Sequence, residues 1–450
     1  MNALSRRRFL QLLGLSSAAA AAPTLLRAQA QSVVPAATAN RVVVVGGGFA
    51  GATVAKYLRL WGGAGVDVTL VEANPSHVSC ILSNLVLNNS MSLSQITFNY
   101  AALQQKYGVR IVTGKAVGIE GKALRLADGQ RLDYERLVLA PGIAFLPVPG
   151  LKMNRVPHAW QAGPQTTLLQ KQLAAMPAGG TFVMTIPPAP YRCPPGPYER
   201  ACTVASYFKK AKPKSKIIIL DGNPDIASKK GLFLAAWKKH FGFGTADSMI
   251  DYRPNNMPRS VDPAKMMVGT EFDDVKADVI NVVPPMQAAA ICGMAGVRKG
   301  LDGKEGPWCA IDYRSFESLH VKNVHVLGDS TLTNFPKSGS VANNTAKMAA
   351  SAIVEMFNGR DPDAAPVVTN TCYSATGMGT AFHVATVFRY QAEKKADDGK
   401  VTPASMVAQK GGGVSKEESE LEFAYMEAWA KNVWADTLGL PDNFNYTVKG

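Results

Sequence analysis

An unbroken apolar run, Arg41-Val42-Val43-Val44-Val45, passes directly into Gly46-Gly47-Gly48-Phe49-Ala50-Gly51, and no other stretch restricts the chain as much. The run reads as a parallel strand buried on both faces. Ala52 to Leu60 follows as a helix, and Val66 to Val71 is a second apolar strand ending in Glu72. Strand, G-x-G-x-x-G, helix, and an acid at the next strand's tip make up a dinucleotide-binding βαβ unit. Gly46 makes the tight turn, Gly48 admits a pyrophosphate, and Gly51 lets helix meet strand. Glu72 is placed to take the ribose hydroxyls of an adenosine, and the lack of a nearby arginine argues against a 2′-phosphate.

A second strand-to-helix turn departs from this plan. Thr181 to Ile186 reads as a buried strand, and Ala201, Val204, Ala205 and Phe208 recur at helical spacing after it. A phosphate cradle needs backbone N–H groups and glycines. The turn here carries Pro187, Pro188, Pro190, Pro194, Pro195 and Pro197, which have no N–H, and a single glycine, Gly196. It also carries Cys193 and, six residues on, Glu199. Either a nucleotide site holds a thiol instead, or a rigid proline loop surrounds a buried cysteine. The following strand, Lys216 to Leu220 with Asp221 at its tip, keeps the nucleotide-fold skeleton, and only the phosphate turn is replaced; with that turn lost, NAD is not expected here.

Three distant pieces point to FAD in the first site. Leu137-Val138-Leu139-Ala140-Pro141-Gly142 is an apolar strand closed by a small-Pro-Gly turn. Val324 to Leu327 is another strand, followed by Gly328-Asp329, and an aspartate there can bond a ribityl chain. Ser338 to Met356 is a small-residue helix whose N-terminus can point its dipole at a flavin pyrimidine oxygen. In this order the pieces resemble the flavoprotein disulfide reductases, over nearly all of the chain beyond the N-terminal segment. The resemblance implies an α/β, glutathione-reductase-like fold with two dinucleotide-binding domains and a C-terminal α+β domain. The FAD-binding domain would be discontinuous, 38–148 and 289–362, with the second, NAD-like domain at 149–288 and the C-terminal domain at 363–450. Within the last, Glu393 to Gly413 reads as a surface excursion. A final helix opens on a Ser415/Glu418 capping box and buries a stripe of Leu421, Tyr425, Trp429 and Val433.

Residues 1–30 stand apart. Ser5-Arg6-Arg7-Arg8-Phe9-Leu10, an alanine-rich apolar stretch and Ala28-Gln29-Ala30 have the order of a twin-arginine export signal, so a periplasmic location is expected. Removing its four arginines lowers the net charge from +14 to +10. A generally basic surface suits an acidic protein partner or a small anionic substrate. No Lys/Arg cluster with interleaved aromatics suggests nucleic acid, and nothing after the signal has the length of a membrane span. None of the six cysteines falls in a C-x-x-C pair, so neither a metal site nor a covalent haem is expected. Cys202 reads as packed, and Cys292 and Cys309 as able to bridge a surface loop.

Cys80, in Ser79-Cys80-Ile81-Leu82-Ser83-Asn84, lies where the chain would pass a flavin ring. It is a redox thiol, a thioether to the flavin, or a buried cysteine. With Cys193-Pro194-Pro195-Gly196-Pro197-Tyr198-Glu199 and Asn370-Thr371-Cys372-Tyr373-Ser374, this segment resembles the flavoprotein subunit of flavocytochrome c sulfide dehydrogenase. That resemblance implies a Cys80 thioether to FAD and a redox-active Cys193–Cys372 disulfide beside the flavin. It also implies Glu199 as a proton-handling acid, and Trp429 near the site, a place that core packing explains equally well. The implied activity is oxidation of sulfide to sulfur or polysulfide, with a c-type cytochrome subunit taking the electrons. The alternatives are a sulfide:quinone reductase, an NADH-dependent thiol or peroxide reductase, and a flavin-bearing scaffold without turnover.

Overall fold

The structure is a computed structural model and describes residues 39–441 and 443–448. The export signal expected over residues 1–30 lies outside the described residues. Strand β1 (Asn40–Val45) buries Val42 to Val45 on both faces, which suits a parallel sheet covered by helices. The glycine turn leads into α1 (Phe49–Gly62), and β2 (Val66–Glu72), β3 (Arg110–Thr113) and β4 (Arg136–Leu139) follow. Strand β5 (Ile143–Phe145) then leaves this layer.

A second parallel sheet begins with β6 (Thr181–Ile186) and α2 (Gly196–Ala211), then β7 (Lys216–Asp221) and α3 (Lys230–Phe241). Strands β8 (Ile250–Arg253) and β9 (Val279–Val282) complete it, in the order β8-β7-β6-β9. The chain returns along β10 (Met286–Ala288), antiparallel to β5, so both crossings between the sheets run side by side. Strand β11 (Val324–Val326) closes the first sheet, whose order is β11-β4-β1-β2-β3 with every pair parallel. Helix α4 (Gly339–Phe357) follows, with the Ser338 hydroxyl accepting the Val341 N–H at its start.

The last unit pairs β12 (Val367–Ala375), β13 (Ala381–Gln391) and β14 (Ser405–Ala408) antiparallel and ends in α5 (Glu420–Leu438). Three sequence expectations change here. The stretch from Glu393 to Gly413 is more than a surface excursion, because β14 lies in it and buries Met406 against Phe335, Val368 and Phe388. Helix α5 is capped by Ser419, not Ser415, since Ser415 Oγ accepts the His383 N–H at 2.7 Å and Glu418 accepts from Thr380 and Lys239. The buried stripe is Met426, Ala430 and Trp434, whereas Leu421 is 60% and Tyr425 51% exposed. Four-residue spacing fits either face, and polar anchors choose between them. Trp434 Nε1 donates to Ser79 Oγ at 2.8 Å, and Asp436 takes hydrogen bonds from Tyr57 (2.6 Å), Asn343 (2.9 Å), Lys347 (3.0 Å) and Lys56 (3.3 Å).

Cys292 and Cys309 are wholly buried thiols, so neither belongs to a surface loop. Cys202 is packed, its sulfur accepting from Trp237 Nε1 at 3.2 Å.

Candidate active site

The first glycine turn leaves room where an anion would sit. Gly46 holds φ at 101°, and a side chain there would strike the Ala140 carbonyl; one at Gly51 would strike the carbonyl of Gly46. A Cβ on Gly48 would meet nothing within 4 Å. Helix α1 starts at this point with no side-chain cap and no acid in its first turn, so its N–H groups are open to a phosphate. Glu72 borders the adjoining cavity while one of its oxygens accepts the Gly47 N–H at 2.6 Å and the other the Asn74 N–H at 2.9 Å. His77 is buried with Nδ1 3.1 Å from the Gly47 carbonyl, and its Nε2 has no partner among the described residues. Burial keeps it neutral by pushing its pKa down. An extended dinucleotide would meet the open N–H groups of α1 and then the Glu72 carboxylate in turn.

A cleft of about 930 Å³ opens next to this one, and the two share Gly48, Phe49, Cys80 and Arg192 as lining, so one elongated molecule can occupy both. Gly142 (φ 71°) and Gly328 (φ 67°) shape its floor, and the first turn of α4 forms one edge. Asp329 reaches the cleft and accepts from Arg192 Nε at 2.7 Å. These residues fit a flavin dinucleotide: open N–H groups at its phosphates, an acid near its ribityl chain and a helix start at its far ring.

Cys193 and Cys372 wall the same cleft from opposite parts of the chain, both as thiols. Cys193 occupies the left-handed region (φ 55°), and its N–H donates to the Lys337 carbonyl at 2.7 Å. Gly196 has to be glycine here, because a Cβ would come within 2.9 Å of both the Cys193 sulfur and the Trp160 ring. Burial raises both thiols, Cys193 most, while the Lys229 charge pulls each back down. Cys80 sits where the two cavities join; burial raises its thiol and Arg192 opposes that.

Glu199, in the first turn of α2, is a cleft-lining acid whose charge acts on both sulfurs. Burial pushes its pKa up to about 7, against the pull of Asn84, Lys229 and Ser374. Asn84 is held in one orientation: its Oδ1 accepts from Arg200 at 3.1 Å, so its Nδ2 faces Glu199 at 3.2 Å. Trp429 lines the cleft on α5, half-buried, with its ring 5.5 Å from Tyr373.

The proline turn of the second sheet is filled by the protein itself. Asp221, at the tip of β7 where a nucleotide ribose would be met, is wholly buried and accepts from Tyr198 (2.7 Å) and Tyr252 (3.0 Å). Tyr191 and Tyr198 are also buried there.

Of the residues singled out from sequence, Cys193, Cys372, Glu199, Trp429, Gly48, Cys80, Gly142, Gly328 and Asp329 meet at the cleft that holds the two thiols. Glu72 borders the second cavity, and Gly46 and Gly51 lie beneath the glycine turn. Sequence reasoning did not assign roles to Arg192, Asn84, Ser374 or Lys229. Asn84 and Ser374 sit inside the quoted cysteine segments and Arg192 directly precedes one, whereas Lys229 lies in a Lys229-Lys230-Gly231 run that reads as solvated surface.

Three family models match parts of the chain. Residues 40–173 match the pyridine nucleotide-disulphide oxidoreductase model, and 166–284 match "sulfide dehydrogenase (flavocytochrome c) flavoprotein chain, central". Residues 364–438, which carry Cys372 and Trp429, match "flavocytochrome c sulphide dehydrogenase, flavin-binding". A sulfide dehydrogenase (flavocytochrome c) flavoprotein chain from Chlorobaculum thiosulfatiphilum is 56% identical over 47 residues, 10% of this chain and 96% of that sequence. In fold, the chain is similar to the sulfide:quinone oxidoreductase of Aquifex aeolicus, with a TM-score of 0.69 and 19% identity over 90% of this chain and 93% of that one. It is also similar to the covalent putidaredoxin reductase–putidaredoxin complex, with a TM-score of 0.59 and 18% identity over 89% of this chain and 94% of that one.

Proposed function

Because the chain belongs to the family of sulfide dehydrogenase (flavocytochrome c) flavoprotein chains, we propose that it oxidises hydrosulfide through a Cys193–Cys372 disulfide and hands the electrons to a c-type cytochrome. It is a flavoprotein oxidoreductase; the disulfide, the acceptor and the periplasmic setting are the proposal. The observation that carries the reading is the meeting of Cys193, Cys372 and Glu199 at one cleft, from segments far apart in sequence.

A disulfide sulfur is the natural electrophile for a small anionic sulfur nucleophile. Hydrosulfide opens the Cys193–Cys372 bond to leave a persulfide on one cysteine and a thiolate on the other. A second hydrosulfide takes the outer sulfur away, leaving two cysteine thiolates. Two electrons and one proton then depart as the disulfide re-forms, so two hydrosulfides become one hydrodisulfide anion. When bound, FAD accepts that electron pair and releases it singly. Glu199, with its pKa about 7, receives the proton, and Asn84 holds one of its oxygens by a hydrogen bond at 3.2 Å. Arg192 holds Asp329 in place at the ribityl end. The filled proline turn, with Asp221 occupied by two tyrosines, argues against NAD as electron acceptor. A Cys80 thioether would keep FAD in place after export by the twin-arginine route.

A quinone as acceptor is favoured by one observation: Leu421 and Tyr425 form an exposed apolar strip on the helix that carries Trp429. Among the described residues, no helix is long and apolar enough to cross a membrane. Sulfide-dependent reduction by the purified holoprotein, compared between a c-type cytochrome and a short-chain quinone with NADH as control, tests the assignment. Reduction of the cytochrome is expected; reduction of the quinone alone, or NADH oxidation, would replace it.

A further inference from the structure

Lys229 breaks three local rules at once. It is the N-cap of α3, where the helix dipole disfavours a positive charge and Ser, Thr, Asp or Asn is the usual choice. Its backbone is left-handed, φ 57° and ψ 32°, a region a lysine rarely adopts. Its ammonium forms no ion pair with any described carboxylate; it donates instead to two neutral acceptors, the Cys372 carbonyl at 2.7 Å and Ser374 Oγ at 3.0 Å. Local violations held together by the surrounding fold cluster at functional positions.

The other cations nearby are already committed. The Arg192 guanidinium bonds Asp329, and Arg200 bonds Asn84, Asn281 and two backbone carbonyls. An ammonium has three hydrogens, and Lys229 uses two of them on the strand that carries Cys372. Its positive charge therefore stands beside that cysteine with no described carboxylate at ion-pair distance, Glu199 feeling it only across the cleft.

We propose that Lys229 stabilises negative charge on the Cys372 sulfur, making Cys372 the leaving thiolate and Cys193 the sulfur that hydrosulfide attacks. The proposal rests on the disulfide reading above and assigns its direction. The S–S bond breaks as the new S–S bond to Cys193 forms, and the charge brought in by hydrosulfide ends on Cys372. No proton has to move in that step. The sulfur with the more stable thiolate leaves faster. The groups facing Cys372 are Cys193 and Glu199 from the α2 side, Cys80 across the cleft, and Lys229 from the start of α3; only the last opposes thiol protonation. Lys229 thus acts through its field on Cys372, as a positioning and charge-supplying residue.

The test needs no sulfide. The holoprotein is reduced with a phosphine and treated with iodoacetamide across a pH range, and each cysteine is followed by peptide mass spectrometry. In the parent, Cys372 is expected to alkylate at least about tenfold faster than Cys193 near pH 7, since the thiolate is the reacting form. Lys229→Gln, which can still donate to Cys372 and Ser374 but carries no charge, should remove that preference and move the Cys372 profile to higher pH. Lys229→Arg should keep it. Equal rates in the parent, or a Gln variant that matches the parent, would overturn the proposal; the parental comparison decides even if the Gln variant fails to fold. A parent that shows the preference yet fails to oxidise sulfide would instead sink the proposed activity.

Discussion

Asn84 donates to the Glu199 carboxylate at 3.2 Å while Arg200 occupies its other amide atom at 3.1 Å, so the orientation of the acid beside the two thiols is set from a buried arginine. Arg200 is only 3% exposed and is fixed over the Trp160 ring at 4.7 Å. The proton handling proposed for Glu199 would therefore depend on Arg200 and Trp160, which do not line the cleft.

Glu199→Gln should lower sulfide turnover by about 10²-fold, the usual scale for loss of a positioned acid–base group. As a proton acceptor Glu199 works when ionised, so the parental rate should rise with pH through about 7, and the Gln variant should lose that limb. Stability runs the opposite way. A carboxyl whose folded pKa is raised favours the fold below its unfolded value and loses that contribution as pH rises through about 7. Thermal unfolding from pH 4 to 9 should show the Gln variant gaining on the parent above pH 7.

Cys193→Ser and Cys372→Ser should each reduce sulfide turnover to background while leaving the flavin bound, because neither residue shapes the glycine turn. Flavin absorbance and sulfide-dependent cytochrome reduction on the same sample check both parts. Turnover at the parental rate in either variant would remove the disulfide from the mechanism.

Acid precipitation of the parent should leave the yellow colour in the pellet, and Cys80→Ser should release it to the supernatant. Colour in the parental supernatant would remove the thioether.

Gly196→Ala should impair catalysis more than folding. Its methyl group would press on the Cys193 sulfur and the Trp160 ring, each 2.9 Å away, and overpacking of this kind costs roughly 1–3 kcal/mol. Chemical denaturation and steady-state rates measured together separate the two effects.

Asp436→Ala should destabilise the chain by about 3 kcal/mol, the scale for leaving buried partner charges unpaired. Hydrogen bonds from Tyr57, Asn343 and Lys347 outweigh the burial penalty and hold the Asp436 carboxyl down at about 2. Its stabilisation is present above the ordinary aspartate range and lost as pH falls through about 2. Denaturant midpoints at pH 3 and pH 7 should differ less in the variant than in the parent.

Much of this was legible in the chain. Val42 to Val45 with the glycines after them could only be a buried strand and a phosphate turn, because period, length and turn chemistry all agreed. The prolines around Cys193 could be read as a lost cradle for the same reason: the missing N–H groups are a property of residue type. The phase of α5 could not, since Leu421, Tyr425 and Trp429 satisfy the same spacing as Met426, Ala430 and Trp434, and bonds to Ser79 and Asp436 from distant segments decide between them. Lys229 was invisible for a related reason. Its partners Cys372 and Ser374 lie 143 and 145 residues away, and nothing local to a lysine-rich turn announces them.

The bond between Lys56 in the first helix and Asp436 in the last spans 380 positions. That clasp joins the helix that opens on the glycine turn to the helix that carries Trp429. The strand bearing Cys372 is tied separately to α4, through the Thr371 N–H on Ser340 Oγ at 3.1 Å and the Ser338 hydroxyl on Asn370 Oδ1 at 2.8 Å. Breaking the clasp is therefore expected to free the Trp429 side of the cleft while the Cys372 side keeps its anchors.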